Sequence, residues 1–262
     1  MKAEIGIIGG TGVYDPEIFK NIKPVDVKTP YGKTSDSYMI GDFEKRKVAF
    51  LARHGRKHMI PPHDINFRAN IYGFEQLGVK RILASCATGS LKEDYKPGEI
   101  VIPDQFIDFK KTRTTFYDIG NVTHVSLADP FCPELRKVLI ESCEKLGITH
   151  HDRGTYLCIE GPRFSTRAES KMFRNFAELI GMTGVPEAIL AREKEICFAI
   201  IATITDFDVG ITEKEKPVST DDIIRIMKES ENKVKNILRD AILNIPENRE
   251  CFCKDALKNA KV

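Results

Sequence analysis

Two aspartates, Asp206 and Asp208, follow the apolar run 199–204 and Thr205. If the run is a buried strand, alternate side chains point to one face, which places the two carboxyls roughly 6–7 Å apart. Like charges this close disfavour double ionisation, so one carboxyl is expected to hold its proton toward neutral pH. A protonated carboxyl beside an ionised one is suited to general acid catalysis. The alternative is a pair of solvated aspartates in a turn.

A basic cluster at 51–58 ends another β-type run. Arg53 stands closest to the end of the run, and a planar guanidinium can grip a phosphate bidentately while His54 donates beside it. A metal site with His54, His58 and His63 as ligands is less favoured, because Gly55 and two prolines break the helix that would align the imidazoles. Solvated surface charge is the third interpretation.

Three further segments combine turn formers with groups that bind ligands. The glycine loop 6–12 can bind an anion through its backbone N–H groups, with the Thr11 hydroxyl as an extra donor, or it can be a plain turn. A dinucleotide site is a third possibility, although the loop lacks the third glycine of the dinucleotide-binding motif. A Gly-Pro turn in 160–169 presents Phe164, which can stack on a flat heterocycle or staple the next helix. Residues 181–187 are predicted to turn into the start of a helix. The helix N-terminus and the Thr183 hydroxyl can bind an anion there, or the segment can be a simple capped helix. Together, an anion-binding arginine at 53, an aromatic ring at 164 and a carboxylic acid at 206 or 208 indicate attack by phosphate at a sugar carbon that bears a base.

The composition indicates an ordinary soluble globule. The 262 residues are 42% hydrophobic and 30% charged, with a formal net charge of +2. Because no block of one charge sign occurs, a nucleic-acid or membrane surface is not expected. No apolar run approaches the ~18–20 residues that cross a bilayer. The beginning of the chain does not resemble a signal peptide, so a cytoplasmic location is expected.

The seven cysteines do not form the pattern of a secreted disulfide framework, because their number is odd and they are scattered. They lie at positions 86, 132, 143, 158, 197, 251 and 253. Most are expected to be buried small hydrophobes. The pair Cys251 and Cys253 is interpreted as incidental thiols or as a redox or interchain disulfide pair, since metal sites favour a longer spacing.

Short apolar runs alternate with helical patterns, which predicts an α/β layer structure in one domain. The predicted strands are Glu4–Ile8, Lys47–Ala52, Arg81–Ser85, Ile100–Pro103, Gly154–Glu160 and Ile196–Thr203. The predicted helices are Asn66–Leu77, Pro133–Leu146, Thr166–Phe176, Pro186–Lys194 and a C-terminal helix over about 220–243, followed by a tail over 246–262. Because ligands bind beyond the carboxyl ends of strands in open α/β sheets, the motifs above are expected to meet at one edge.

Many motifs occur in a fixed order along roughly residues 4–245. They include Gly6-x-x-Gly-Gly-Thr-Gly12, Thr29-Pro-Tyr-Gly-Lys33, Leu51-Ala-Arg-His-Gly-Arg56, Gly89-Ser-Leu91, Asp104-Gln-Phe-Ile-Asp108, Pro130-Phe-Cys-Pro133, Glu160-Gly-Pro-Arg-Phe-Ser165, Val185-Pro-Glu187 and Thr205-Asp-Phe-Asp208. This series resembles the 5'-methylthioadenosine phosphorylase branch of the purine nucleoside phosphorylase family. The resemblance implies a single-domain nucleoside phosphorylase fold with a central mixed, partly barrel-like β-sheet flanked by helices.

The resemblance also assigns roles to individual positions. Phosphate would be held by Thr11, Arg53, His54, Cys86, Ala87 and Thr183, with cysteine at 86 where the family often has threonine. The nucleoside would contact Met182 at the ribose, Phe164 and Ile159 at the base, and Asp206 and Asp208 at the purine N7 and 6-amino group. His124 would complete the sugar pocket of a neighbouring subunit, which implies a trimer or a dimer of trimers. Specificity for the 5'-substituent would depend on Ser165, Thr220, Ile223 and Ile224.

The implied reaction is the reversible phosphorolysis of 5'-methylthioadenosine to adenine and 5-methylthio-α-D-ribose 1-phosphate, with Asp206 as the catalytic acid. Phosphate is a co-substrate, and neither a metal nor an organic cofactor is expected. Thr220 stands where methylthio-specific members usually carry valine, so a 5'-hydroxyl can also be admitted. A broad purine nucleoside phosphorylase and a methylthioinosine phosphorylase are therefore alternatives. The last alternative is a non-catalytic dinucleotide-binding protein.

Overall fold

The computed structural model describes residues 1–10, 19–209 and 217–262, and in these residues eleven strands form one mixed sheet. The strands are β1 (Ile5–Gly9), β2 (Lys20–Val25), β3 (Tyr38–Phe43), β4 (Arg46–Ala52), β5 (Arg81–Ser90), β6 (Ile100–Val101), β7 (Gln105–Asp108), β8 (His150–His151), β9 (Thr155–Cys158), β10 (Leu179–Gly181) and β11 (Cys197–Phe207). The helices are α1 (Phe67–Gln76), α2 (Pro133–Lys145), α3 (Arg167–Phe173), α4 (Gly184–Glu193) and α5 (Thr220–Asn244).

The sheet branches at β5, its central strand. One edge of β5 pairs in parallel with β11 along its whole length, whereas the other edge pairs first with β1 and then, near Gly89 and Ser90, with the antiparallel strand β10. From there the order continues through β9 to β7, and β11 carries β6 and β8 on its far side. The α/β layer structure predicted from the sequence pattern is confirmed, and so is the mixed sheet that the family resemblance implied.

Strand β11 explains why the apolar run around residue 200 is continuous. Its side chains alternate between two buried clusters: Ile200, Ala202 and Ile204 face one, and Ala199 and Ile201 face the other. A strand covered on both faces needs apolar residues at every position. Helices α1 and α4 contribute to the first cluster and α2 and α5 to the second, so the sheet lies between two helical layers.

The C-terminal part of helix α5 packs in the core, whereas its first turns lie at the surface beside the cavity. Its buried residues, among them Val234, Ile237 and Leu238, lie from Ser230 onward. In the first two turns the helix instead presents Thr220 and its neighbours to solvent or to the cavity described below. Residues 246–262, for which no regular element was predicted, include a short 3₁₀ turn at Phe252–Asp255. None of the helices in the described part of the chain is both long and apolar enough to cross a membrane.

Candidate active site

A cavity of about 780 Å³ opens where several strands end. Gly10 follows β1, Arg53 follows β4, Ile159 follows β9 and Met182 follows β10, while Asp206 is the second-to-last residue of β11. The volume is within the range of small-molecule sites, and the position matches the rule for open α/β sheets. The motifs therefore meet at one edge of the sheet, as expected.

Most of the predicted site residues line this cavity. They are Arg53, His54, Ala87, Ile159, Phe164, Ser165, Met182, Thr183, Asp206, Asp208, Thr220, Ile223 and Ile224. Of the remaining three, two do not line it and one lies outside the described residues. Thr11 lies outside the described residues, although its neighbour Gly10 lines the cavity. Cys86 is buried behind the wall, and His124 is exposed away from it.

Asp208 is buried and Asp206 is partly buried at the end of β11, so the interpretation as a pair of solvated aspartates in a turn is wrong. Asp208 is 3% exposed, and its backbone N–H donates to the carbonyl of Ser90. A register shift in β11 between Ile204 and Asp206 forms a bulge beside β5, and bulges re-aim the side chains that follow them. A Cβ built on Gly89 would lie 3.1 Å from Asp206 Oδ1 and 3.6 Å from Asp208 Cβ. Both acidic residues therefore face the same point of β5, where the glycine leaves room.

The environment of Asp206 suits a proton donor. Its pKa is raised to about 6, mainly because burial disfavours the charged form. The hydroxyl of Thr205 donates to Asp206 Oδ2 at 2.7 Å and opposes this rise, whereas the charges of Asp208 and Asp222 add to it. The direction agrees with the sequence argument, but the main cause is burial rather than repulsion by Asp208.

The bidentate face of Arg53 is occupied by a protein carboxylate. Arg53 Nε donates to Glu187 Oε1 at 2.6 Å and Nη2 donates to Oε2 at 2.8 Å, and both residues are almost fully buried. Nη1 donates to the carbonyl of Ser85 at 2.8 Å. A guanidinium carries five N–H groups, and these contacts together with one from Nη2 to Cys86 Sγ use four of them, which leaves one on Nη1. The expected bidentate grip of Arg53 on phosphate is therefore wrong, because Glu187 takes that edge, and solvated surface charge does not describe Arg53, which is 2% exposed.

His54 is held as a neutral imidazole with a defined tautomer. Nδ1 lies 2.8 Å from the carbonyl of Ile60, which can only accept, so Nδ1 carries the hydrogen and Nε2 carries a lone pair. Burial, followed by the positive charge of Arg53, lowers the pKa of His54 to about 4. His54 is therefore suited to accept a hydrogen bond from a phosphate hydroxyl rather than to donate one, which reverses the role expected from the sequence.

Thr183 and Cys86 lie next to each other at the same end of the cavity. Thr183 is the N-cap residue of α4, but its side chain makes no capping hydrogen bond, so the hydroxyl remains available to a ligand beside the positive end of the helix dipole. Cys86 Sγ lies 3.8 Å from Thr183 Oγ1 and 3.5 Å from Arg53 Nη2. Burial raises the pKa of the Cys86 thiol, so the thiol stays neutral, and its side chain does not line the cavity.

The segment that carries Phe164 is fixed from both sides. Arg163 makes two contacts of 2.7 Å with the Glu169 carboxylate, and Thr166 and Glu169 form a capping box at the start of α3. Phe164 itself is 39% exposed and lines the cavity. A half-exposed ring beside a cavity is available for stacking on a planar ligand.

Several lining or supporting residues were not identified from the sequence. Glu187 was quoted only as part of a motif, and Ser85, a buried cavity residue, was read only as a strand residue. Met227, Lys228 and Glu231 follow Ile224 along the helix and extend the cavity wall. The helical spacing of 220, 223, 224, 227, 228 and 231 is the signal that marks this face of α5.

Comparison with known proteins agrees with this geometry. The family model described as phosphorylase superfamily matches residues 4–243. The S-methyl-5'-thioadenosine phosphorylase of Thermofilum pendens is 55% identical over 263 residues, which cover 100% of this chain and 99% of that protein. The chain belongs to the methylthioadenosine phosphorylase family. Both the family and the nucleoside phosphorylase fold that the ordered motifs indicated are thereby confirmed.

Solved structures of this phosphorylase family superpose closely on the chain. A methylthioadenosine phosphorylase from an antarctic soil metagenomic library has a TM-score of 0.94 at 43% identity, covering 100% of this chain and 93% of that one. A mutant of the adenosine/methylthioadenosine phosphorylase from Schistosoma mansoni, in complex with methylthioadenosine, has a TM-score of 0.88 at 35% identity, covering 98% and 96%.

Proposed function

We propose that this phosphorylase splits 5'-methylthioadenosine, reversibly and with inorganic phosphate, into adenine and 5-methylthio-α-D-ribose 1-phosphate. One observation carries the proposal: a single cavity holds a partly buried carboxyl with a raised pKa, a guanidinium beside the N-terminus of α4, and a half-exposed aromatic ring. A nucleoside and a phosphate ion need these three features together. The close relatives named as methylthioadenosine phosphorylases add support.

In the proposed mechanism Asp206 acts as the general acid. Breaking the bond between sugar and N9 leaves an electron-rich purine and a ribosyl group with cationic character. Protonation of N7 by Asp206 neutralises the leaving base. Phosphate, near Arg53, His54 and Thr183, stabilises the cationic sugar and then forms the new bond to C1' with inversion. Thr11 is expected to join this phosphate site, and Ala87 to contribute its backbone.

The remaining nucleoside contacts follow the same arrangement. Phe164 and Ile159 are proposed to pack on the base, Met182 on the ribose, and Asp208 to accept from the 6-amino group. Ser165, Thr220, Ile223 and Ile224 are proposed to surround the 5'-substituent. Phosphate is the second substrate, and neither a metal nor an organic cofactor is expected to take part in the reaction.

Comparison of four nucleosides tests the substrate proposal. Methylthioadenosine, adenosine, inosine and methylthioinosine are each assayed for kcat/KM with and without phosphate. We expect phosphate-dependent release of adenine with the highest value for methylthioadenosine. A preference for inosine would contradict the proposal. Binding of NAD without any phosphate-dependent base release would favour the dinucleotide-binding alternative.

Adenosine is a second candidate substrate, because polar side chains lie on the α5 wall. Thr220, Lys228 and Glu231 all line the cavity there. A structural relative is named as an adenosine/methylthioadenosine phosphorylase. Its name is consistent with a cavity that accepts either a hydroxyl or a methylthio group at the 5' position of the nucleoside. Thr220→Val is expected to lower kcat/KM for adenosine about tenfold relative to methylthioadenosine, as the loss of one hydrogen bond of about 1.4 kcal/mol would. An unchanged ratio would remove Thr220 from the selection of the 5'-group.

We also infer an oligomer, a trimer or a dimer of trimers, in which His124 reaches the sugar pocket of a neighbouring copy. His124 is exposed and does not line the cavity of its own chain, and the nearby Ile119 and Val122 are 107% and 54% exposed. Mixing inactive His124→Ala and Asp206→Asn proteins should restore part of the activity, because some mixed sites combine an intact copy of each residue. A fully active monomer would contradict this inference. The cytoplasmic location expected from the sequence stays a prediction.

A further inference from the structure

Glu160 stands at the start of the loop that carries the proposed base contacts. It follows β9, between Ile159 and the turn that leads to Phe164. Ile159 and Phe164 line the cavity, whereas Glu160 does not. The reaction described above therefore gives the Glu160 carboxyl no task.

The Glu160 carboxylate binds three consecutive residues of another segment. Oε2 accepts from the backbone N–H of Lys111 at 2.7 Å and from that of Thr112 at 3.1 Å. Oε1 accepts from the Thr112 hydroxyl at 2.9 Å and lies 3.2 Å from the Lys110 ammonium. Partial burial opposes ionisation, but the hydrogen bonds from Thr112 and Lys111 outweigh it and lower the pKa of Glu160 to about 2. The group is therefore ionised at neutral pH and serves as an anchor rather than as a proton donor.

The segment that Glu160 binds is itself fixed, so it can support the loop. The Lys110 side chain is only 3% exposed. Further along the segment, the buried carboxylate of Glu193 accepts from the Thr115 hydroxyl at 2.7 Å and from the Phe116 N–H at 2.6 Å. The segment is thus held on both sides of the residues that donate to Glu160.

The backbone next to Glu160 is packed closely against the cavity wall. Gly161 has a φ of +70°, and a Cβ built on it would lie 2.6 Å from Met182 Sδ. On the other side, the Ile159 N–H donates to the carbonyl of Gly181 at 2.9 Å. Because this packing leaves little space, a displacement of Glu160 moves the groups that are proposed to contact the ribose and the base.

We propose that Glu160 is a positioning residue for the nucleoside: by binding segment 110–112, it holds the loop 159–164 where Ile159 and Phe164 can pack on the base. This role rests on the proposed function, which supplies the base contacts. The contacts of Glu160 do not include Arg53 or Thr183, near which phosphate is proposed to bind. Phosphate binding should therefore not depend on Glu160.

The two Michaelis constants of Glu160→Gln separate positioning from a general loss of stability. Glutamine keeps the length of the side chain but loses its charge and one acceptor oxygen. The KM for methylthioadenosine should rise about tenfold, within the range that misplacement of a binding group costs, while kcat and the KM for phosphate stay close to the wild-type values. Glu160→Ala should raise the nucleoside KM further. The affinity for adenine, measured by calorimetry with phosphate present, should fall in the same order.

Glu178 offers a matched control at the opposite end of β9. Its Oε2 accepts from the Thr155 N–H at 2.8 Å and its Oε1 lies 3.7 Å from the Lys92 ammonium. Its side chain is 27% exposed, as is that of Glu160, and it does not line the cavity. Glu178→Gln should therefore leave both KM values unchanged.

Thr112→Val is a second test, which applies even if a Glu160 variant fails to fold. It removes only the hydroxyl that donates to Glu160, so it should raise the nucleoside KM by a smaller factor. In the Glu160→Ala background it should add little, because the two residues act through one contact.

Three results would overturn the positioning role while leaving the proposed function intact. They are an unchanged nucleoside KM in folded Glu160→Gln and Thr112→Val, an equal rise in both KM values, and an equal rise of the nucleoside KM in Glu178→Gln. A wild-type protein that cleaves no nucleoside in the presence of phosphate would instead overturn the proposed function and this role with it.

Discussion

The hydroxyl of Thr205 provides a quantitative test of the acid assigned to position 206. It lies 2.7 Å from Asp206 Oδ2 and 3.2 Å from the carbonyl of Thr88, so its single hydrogen is shared. A hydrogen bond to a charged group contributes about 1.5–3 kcal/mol, and we take the lower end because of this sharing. Since 1.36 kcal/mol corresponds to one pKa unit, the isosteric change Thr205→Val should raise the pKa of Asp206 by about one unit.

The expected readout is the pH dependence of kcat/KM, which reports the ionisation of the free enzyme. A general acid must be protonated, so activity should fall as the pH rises through a pKa of about 6 in the wild type. In Thr205→Val the same limb should move up by about one unit, and the protonated fraction at pH 7 should rise about fivefold. His54, with its pKa lowered to about 4, does not titrate in this range.

Asp206→Asn is the control, because an amide cannot supply the proton. In this variant the limb near pH 6 should be absent. If Thr205→Val leaves the limb where it is in the wild type while the protein stays folded, the assignment of that limb to Asp206 is refuted.

Three substitutions, the control Asp206→Asn among them, test separate parts of the site. Asp206→Asn should lower kcat by about 10²–10⁴-fold, the usual contribution of a positioned acid, in steady-state assays at saturating phosphate; near-normal turnover would contradict its role. Glu187→Ala leaves the Arg53 charge buried without its partner, so the free energy of unfolding in urea should fall by about 3–5 kcal/mol, and added phosphate should stabilise the variant more than the wild type. Equal stabilisation of both proteins would separate Arg53 from the phosphate site. Gly89→Ala places a methyl 3.1 Å from Asp206 Oδ1 and 3.0 Å from Ile180 Cγ2, so it should raise the KM for nucleoside but not the KM for phosphate; the opposite pattern would be inconsistent with a base pocket there.

The longer elements of the fold were predictable from sequence because each carries a strong local pattern. The apolar run of β11 and the helical stripe of α5 place these elements within a few residues of their observed bounds. Five strands of the described residues were missed, and three of them show two reasons. Strand β2 is largely exposed and lacks an apolar pattern, and β8 and β10 contain only two and three residues. Such strands form because a neighbouring strand offers hydrogen-bonding partners, which a local pattern cannot reveal.

The candidate site was predictable in its membership but not in its internal pairing. The ordered motifs led to most of the residues that line the cavity. They did not reveal that Glu187 occupies the bidentate face of Arg53, because 134 residues separate the two in the chain. The hydrogen bond from His54 to the carbonyl of Ile60 likewise depends on the backbone turn between them. Four buried thiols from distant segments also lie close together, those of Cys132, Cys197, Cys251 and Cys253. The spacing of Cys251 and Cys253 alone did not indicate this cluster.

A crystal structure with adenine and sulfate bound would show whether Asp206 is placed as the acid. We expect the Asp206 carboxyl within hydrogen-bonding distance of the purine N7 and Phe164 stacked on the base. Sulfate is expected to contact Arg53, His54 and Thr183. Adenine bound elsewhere, or an Asp206 side chain directed away from the bound base, would contradict this placement.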